Sequence, residues 1–398
     1  MRVARASRVP ATAPSPGIGV EVEPVTEWSA FLALRDGWNE LWERSPERDN
    51  PFLSHEWLRA WWDAFGSGRQ LLVLRLTDGG RLVALAPLMV MSSRYHGAPI
   101  RVVSLIANDH TNRSEFILSE RPAECVRAVL EHLKRSDERW DMLDFDFLPR
   151  TSATLREIER SASDLELRFG TKPSYRSPYI PLADDWSTYW GAREGRFRRN
   201  LKNRETRLAK LGKVELEEWP ESVGPTLLDE LFEVGERSWK GGAQAGTALG
   251  STPELRRFYG RLAELTHPKG WLSLHVLRLD GKAIAFHYSL MLRGTVGLLK
   301  TEYDLEYRPY SPGHQIQKRV LRSLYDKGFR EFDFLGPDME WKREWADASR
   351  EHVRGLVFRP ATRSRAMAFC ELRAKPALKR SKLLRRIARA AGVMEAQD

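Results

Sequence analysis

The stretch 301–313, TEYDLEYRPYSPG, runs directly into HQIQKRVLRSLYDKG. It places carboxylates, tyrosines, an arginine and a Ser-Pro-Gly turn between a strand-like and a helix-like segment. Such a loop suits an anion. A helix N-terminus exposes unpaired N–H groups and a partial positive charge. Ser311 can cap the helix, Pro312 suits its first turn, and Gly313 lets a ligand approach the backbone. Arg308 can add a charge-assisted contact to a phosphate. On spacing alone, an ordinary capped loop is the preferred reading.

Proton acceptors lie close by: Glu302, Asp304 and His287. In KAIAFHYSLML (282–292), strand alternation puts Ala283, Ala285, His287, Ser289 and Met291 on one face. Ile284, Phe286, Tyr288, Leu290 and Leu292 take the other. His287 then stands on the smaller, more polar face. A half-buried histidine bonded to a neighbour is an equal reading, as is a plain turn aspartate at Asp304. Tyr303, Tyr307 and Tyr310 can donate a proton, although aromatic packing accounts for at least two of them. Trp239-Lys240-Gly241-Gly242 reads as a flap or as a simple helix C-cap. Asn108, Asp109 and His110 form a polar cluster that can line a cleft between the halves, although a surface loop is the preferred reading. No Ser/His/Asp order, HExxH or Walker loop occurs, and no metal is expected.

These residues need a scaffold, and the chain supplies two similar ones. In the first half, 27–45 reads as a helix and FLSHEWLRAWWDAFG (52–66) as another, with Ser54 as cap and Gly66 as stop. A hairpin at 70–94 turns at Asp78-Gly79-Gly80. The strand 100–107, a loop, the strand FILS, the helix 123–136 and the strand WDMLDFDFLP (140–149) follow. In the second half, SPYIPL (177–182) is a short strand, 197–212 a basic helix and VELEEW (214–219) a strand. Helices follow at 226–239 and 254–266. A three-strand meander covers 271–304, with turns at Asp280-Gly281 and Arg293-Gly294. A helix from about 314 to 327 and the strand EFDFLG (331–336) complete it. Both halves thus read hairpin, helix, D-F strand, which favours duplication of one α/β unit.

Composition bounds the rest. The 398 residues suit two or three domains. The run LVALAPLMVM is too short to span a bilayer. No n-region followed by an apolar h-region opens the chain, so no signal peptide is expected. Cys125 and Cys370 are far apart, which fits a reducing cytoplasm. The net charge of +10 sits entirely in the tails, +3 in 1–20 and +7 in 361–398, leaving 21–360 balanced. That argues against a DNA surface and against tRNA. The basic helix 196–210 reads as a solvated face or a phosphate contact. The helix 377–392 sets Leu383, Leu384, Ile387 and Ala391 among cations. It suggests an anionic membrane surface, with a disordered tail as the equal reading.

Taken in order, the motifs resemble a known family. PFLSHEWLRAWWDAFG with GRLVALAPL, WDMLDFDFLP, SPYIPL, FRRNLKNRETRLAKLGKV, YDLEYRPYSPGHQIQ and GFREFDFLGPDMEWKREWA resemble the CelD/BcsL-type proteins of the GNAT acyltransferase superfamily. These are related to Fem-type ligases built from tandem GNAT units. The phosphate loop departs from the usual pattern in having one glycine where two are usual. The resemblance implies an α/β fold of two GNAT-like domains, 21–170 and 171–360, after a basic leader (1–20) and before a basic tail (361–398). It implies a cytoplasmic enzyme, peripheral to the membrane if the tail binds it. Such an enzyme would move an acyl group from acyl-CoA to a hydroxyl or amine of a saccharide or envelope precursor. Asp304, His287, Glu302 and Tyr303 are the expected catalytic residues. Arg308, Tyr310, Ser311, Gly313 and His314 would hold the donor, and Lys342, Trp341, Trp239 and Lys240 the acceptor. Fem-type aminoacyl transfer from charged tRNA and a non-catalytic scaffold in polysaccharide synthesis are the alternatives.

Overall fold

The computed structural model describes residues 19–136, 139–219, 225–241 and 246–380. Most of the leader and the tail helix from 381 onward therefore lie outside the described residues, as does Gly242 of the expected flap.

The first half runs β1 (Glu21–Val25), α1 (Trp28–Ala33), α2 (Arg35–Arg44), α3 (His55–Phe65), β2 (Arg69–Asp78), β3 (Arg81–Tyr95), β4 (Ala98–Leu105) and β5 (Ile117–Leu118). It ends with α4 (Pro122–Arg135), β6 (Met142–Pro149), α5 (Ala153–Asp164) and β7 (Arg168–Pro181). The second runs α6 (Trp186–Ala192), α7 (Gly195–Leu208), β8 (Val214–Trp219), α8 (Pro225–Glu236), α9 (Pro253–Thr266), β9 (Leu272–Leu279), β10 (Lys282–Leu292) and β11 (Thr295–Tyr303). Then come α10 (Pro312–Asp326), β12 (Glu331–Asp333), α11 (Glu340–Arg343), β13 (Ala348–Phe358) and α12 (Thr362–Phe369).

Local chemistry explains the boundaries. Ser54 caps α3 by accepting from the Trp57 N–H. The second-half hairpins turn through Asp280-Gly281 and Arg293-Gly294, all four at positive φ. That is the backbone a two-residue hairpin of right-handed twist requires. The helix expected over 27–45 is two, broken at Leu34. The strand expected at 177–182 is the end of the much longer β7.

The strands form one sheet in the order β1-β2-β3-β4-β6-β13-β7-β12-β11-β10-β9-β8, with β5 added beside β3. Read from either edge inward, the sequence of elements repeats. β4–β6 and β11–β12 are parallel, and every other pair is antiparallel. The repeat has a twist: each half lends its last strand to the other. β13 lies on β6, β7 lies on β12, and β7 and β13 pair with each other through the middle. β7 runs across the expected boundary at 170/171. A mixed sheet flanked by helices is therefore the architecture, and the halves cannot separate without breaking three strand pairings.

Tryptophans close the same joint. Trp38, Trp57 and Trp61 are fully buried in a cluster that also holds Phe258, Tyr259 and Tyr288 of the second half. Trp57 meets Phe258 edge-on at 5.2 Å. Arg261 of α9 reaches Asp63 of α3 at 3.1 Å.

A polar knot completes it. Asp333, 1% exposed, accepts from Arg113 of the first half, from Arg350 of β13 at 3.2 Å and from Ser177 of β7 at 3.3 Å. It also accepts from the Leu335 N–H at 2.8 Å. Removing one member of such a buried pairing strands the remaining charges. Asp333→Asn is expected to destabilise the fold by about 3–5 kcal/mol, read as a lowered urea midpoint. A midpoint equal to that of the unaltered protein would contradict this.

Candidate functional site

A cleft of about 750 Å³ opens where the halves meet. The second half supplies most of its wall: the end of β11, the turn before α10, Arg204 of α7, Trp239 and Lys240, and residues 334–342 after β12. Asp109, His110 and Asn112 of the first half close it.

Among the expected site residues, Tyr303, Arg308, Ser311, Gly313, His314, Trp239, Lys240, Trp341 and Lys342 all line this one cleft. Ser311 is not a side-chain cap. Its backbone is left-handed (φ 52, ψ 57), whereas capping through the side chain needs an extended residue. Its hydroxyl instead accepts from Arg204 at 2.5 Å. Its carbonyl takes the His314 and Gln315 N–H groups. Arg308 is exposed and makes no ion pair among the described residues. Gly313 packs closely on the Tyr303 ring: a Cβ there would stand 3.3 Å from Cδ1, so the ring would have to give by a few tenths of an ångström.

His314 has a defined tautomer. The indole N–H of buried Trp345 donates to its Nδ1 at 3.1 Å, so the ring proton sits on Nε2, 3.5 Å from Glu344. Burial and Arg204 push its pKa down to about 4. At neutral pH it is thus an N–H donor rather than an acid.

Lys342 is 5% exposed and donates to the Leu335 and Pro337 carbonyls at 2.5 and 2.9 Å. Burial brings its pKa to about 8. Lys240 donates to the Thr301 carbonyl at 3.0 Å. Trp239 stands at the rim, 51% exposed.

Four expected residues lie elsewhere. His287 is 1% exposed and outside the cleft lining. The β9–β10 register slips between Ala283 and Ala285, so the simple alternation fails. Ala283 joins the cluster of Phe286 and Tyr288, while Ile284 and Ala285 share another. Neither ring nitrogen of His287 has a partner among the described residues. Burial and neighbouring His275 hold its pKa well below the usual value. Asp304 is a clamp: it accepts from Glu306 N–H at 3.0 Å and from Arg237 at 2.7 Å. Glu302 is buried behind the wall, accepting from the Leu249 N–H at 3.1 Å. Tyr310 packs beneath α7, with Arg207 over its ring.

Sequence reasoning passed over Lys300 and Asn112, preferred a surface loop for Asp109 and His110, and read Arg204 only as part of a basic helix, a solvated face or a phosphate contact. Lys300 carried a signal: it falls on the inward face of β11, whose burial alternates strictly, between Leu298 and Glu302. His110, preferred as part of a surface loop, is half-buried, its Nδ1 3.3 Å from the Tyr259 hydroxyl. Burial and Lys300 push its pKa to about 3.

Comparison with known proteins agrees with this geometry. Residues 195–343 match the family model described as an acetyltransferase (GNAT) domain, and this span holds the loop from Tyr303 to His314 and most of the cleft. No curated protein matches the chain in sequence. Among solved structures, the crystal structure of FemX superposes with a TM-score of 0.55 at 12% identity, covering 84% of this chain and 96% of that one. The C-terminal domain of a putative lysylphosphatidylglycerol synthetase from Agrobacterium fabrum gives 0.52 at 14% identity, covering 85% and 95%. At these identities the likeness concerns the fold: a GNAT-like mixed sheet extended over both halves.

Buried neutral histidines make the fold acid-sensitive. His110, His287 and His314 are joined by His352, 2% exposed, which burial and Arg113 push to about 4. Below about pH 6.5 the unfolded chain binds protons that the folded one does not, so stability falls as pH falls. Each histidine contributes up to about 1.4 kcal/mol per pH unit. The thermal midpoint is expected to drop steeply from pH 7 to pH 5, and a flat profile would contradict this.

Proposed function

We propose that the chain is an acyltransferase that takes its acyl group from acyl-CoA. It delivers that group by direct attack to a hydroxyl or amine of a saccharide or other envelope precursor. One observation carries the reading: the N-terminus of α10, flanked by Arg204 and Arg308, opens into a cleft beside Tyr303. With the His314 and Gln315 N–H groups taken by the Ser311 carbonyl, the Gly313 N–H and the two guanidinium groups are what suit a pyrophosphate. The saccharide acceptor and the CelD/BcsL kinship rest on the motif resemblance.

In this reading the acceptor nucleophile attacks the thioester carbonyl, the C–S bond breaks and the thiolate leaves with a proton. Charge builds on the carbonyl oxygen and then on sulfur. The Tyr303 hydroxyl and the His314 Nε2–H are the neutral donors beside the loop. No poised carboxylate base is needed: a general-base step is worth about 10²–10⁴-fold, and positioning supplies comparable gains. Among the described lining residues the carboxylate is Asp109, which is exposed.

Two other readings each have an observation in their favour. Arg196, Arg199, Lys202 and Arg207 are exposed on α7 beside the cleft, which favours a charged-tRNA donor. Asp304 and His287 do not converge with Arg308, which favours a scaffold without catalysis. Among the described residues no helix is long and apolar enough to cross a membrane.

Isothermal titration with acetyl-CoA and longer acyl-CoAs is expected to show binding. Losing a charge-assisted bond costs about 1.5–3 kcal/mol, so Arg204→Ala with Arg308→Ala should weaken it at least about tenfold. Absence of binding by every acyl-CoA would overturn the donor assignment.

A further inference from the structure

The cleft holds more positive charge than one donor site requires. Beyond Arg204 and Arg308, three lysines line it from three separate elements: Lys240 after α8, Lys300 on β11 and Lys342 on α11. Lys300 and Lys342 are buried, at 9% and 5% exposure. Buried cations are normally matched by carboxylates. Asp333 and Asp338 act on Lys342, but Lys240 and Lys300 share one carboxylate, Glu302. Glu302 lies 3.9 Å from Lys240, and its oxygens already take the Leu249 N–H. Its own pKa is raised by burial.

The lysines feel one another rather than the arginines. Beyond burial, Lys240 depresses Lys300, and it depresses Lys342 against the opposing pull of Asp333, whereas Arg204 acts on His314 and Glu344. The two sets of cations therefore form two poles of one cleft.

Their hydrogen bonding is also incomplete. An ammonium has three donors. Lys300 spends one on the Thr247 carbonyl at 2.6 Å and Lys240 one on Thr301. Lys342 spends two. Among the described residues the other N–H groups have no acceptor. Three ammonium groups lining one cleft, two of them sharing the single carboxylate Glu302 and all with donors to spare among the described residues, describe a site shaped for an anion.

We propose that Lys240 and Lys300, with Lys342, form a second anion subsite that binds a carboxylate or phosphate on the acyl acceptor. The word acceptor rests on the acyltransferase reading; the anion subsite does not. It narrows the acceptor class to acidic or phosphorylated molecules. The acceptor's anion would sit at the lysine pole while the donor's phosphates occupy the α10 pole. Apolar Leu298, Leu299, Phe334 and Leu335 line the same cleft, and a low-polarity wall strengthens each ion contact.

The test uses the full chain without any acyl-CoA. Inorganic phosphate and, separately, succinate are titrated calorimetrically at fixed ionic strength into the Arg204→Ala/Arg308→Ala protein, which has lost the α10 pole. Binding of at least one anion is expected to persist there. It should weaken at least tenfold on adding Lys240→Met and Lys300→Met, and return with Lys240→Arg and Lys300→Arg. Phosphate alone binding, or succinate alone, tells which acidic group the subsite takes. If neither anion binds the arginine-less protein, or if the methionine changes leave binding as it was, the subsite is refuted. Should the fourfold variant melt early, Lys240→Met alone provides the readout, because the Lys240 side chain is 20% exposed and holds a single hydrogen bond, to the Thr301 carbonyl. Wild-type protein that ignores every acyl-CoA while the lysine-dependent anion binding stands would remove the donor reading and keep the subsite.

Discussion

Asp333 is the carboxylate on which the geometry of the cleft depends. It ties the first half (Arg113), both exchanged strands (Ser177 of β7 and Arg350 of β13) and its own chain (Leu335 N–H) to one buried point. The last bond holds Leu335 at φ +51, a left-handed backbone that costs a non-glycine residue energy. That turn sends 334–342 along the cleft and presents the Leu335 carbonyl to Lys342. Against that turn lies Asn112, next to Arg113: a Cβ at Gly336 would stand 3.4 Å from its Oδ1, and its carbonyl accepts from Tyr175 of β7. One ionic knot therefore sets both sides of the site. A buried ion pair is a weak source of net stability; here it specifies the register of two halves.

The strand exchange gives that knot its reach. Because β7 belongs to the first half in sequence and to the second half in space, any shift between halves must break main-chain pairing. The tryptophan cluster of α3 and α9 adds the apolar part of the joint. The cleft can then be lined by short loops and still keep its form. Its chemistry is electrostatic: an exposed arginine pole at a helix mouth, and a buried lysine pole with lowered pKa values. Both favour ligands that bring negative charge, and neither depends on a metal ligand set or a poised carboxylate base.

Much of this was legible in the sequence. Caps and acid-glycine turns marked α3 and the hairpins, and the repeated order of hairpin, helix and D-F strand revealed the duplication. The loop from Tyr303 to His314 and the segment Trp341–Lys342 were placed at one site before any coordinate. What failed did so for physical reasons. The bulge at Ile284 reversed only Ala283 and Ile284; His287 kept its expected face, opposite Phe286 and Tyr288, but that face is buried rather than open to the cleft. Asp304 reads as an acid beside a loop, and its role as a clamp depends on Arg237, far away in sequence. β13, with its charged alternation ASREHVRG, and α5 went unread, and with β13 the strand exchange. Partners such as Arg113 and Asp333 are joined only by the fold, so no local pattern announces them.

The central claim is that the mouth of α10 holds the phosphates of an acyl donor. A crystal structure with coenzyme A tests it most directly. The account predicts the pyrophosphate against the Gly313 backbone, within hydrogen-bond distance of Arg204 or Arg308, with the thiol arm running past Tyr303. Coenzyme A bound away from α10, with that loop left as it is here, would contradict it.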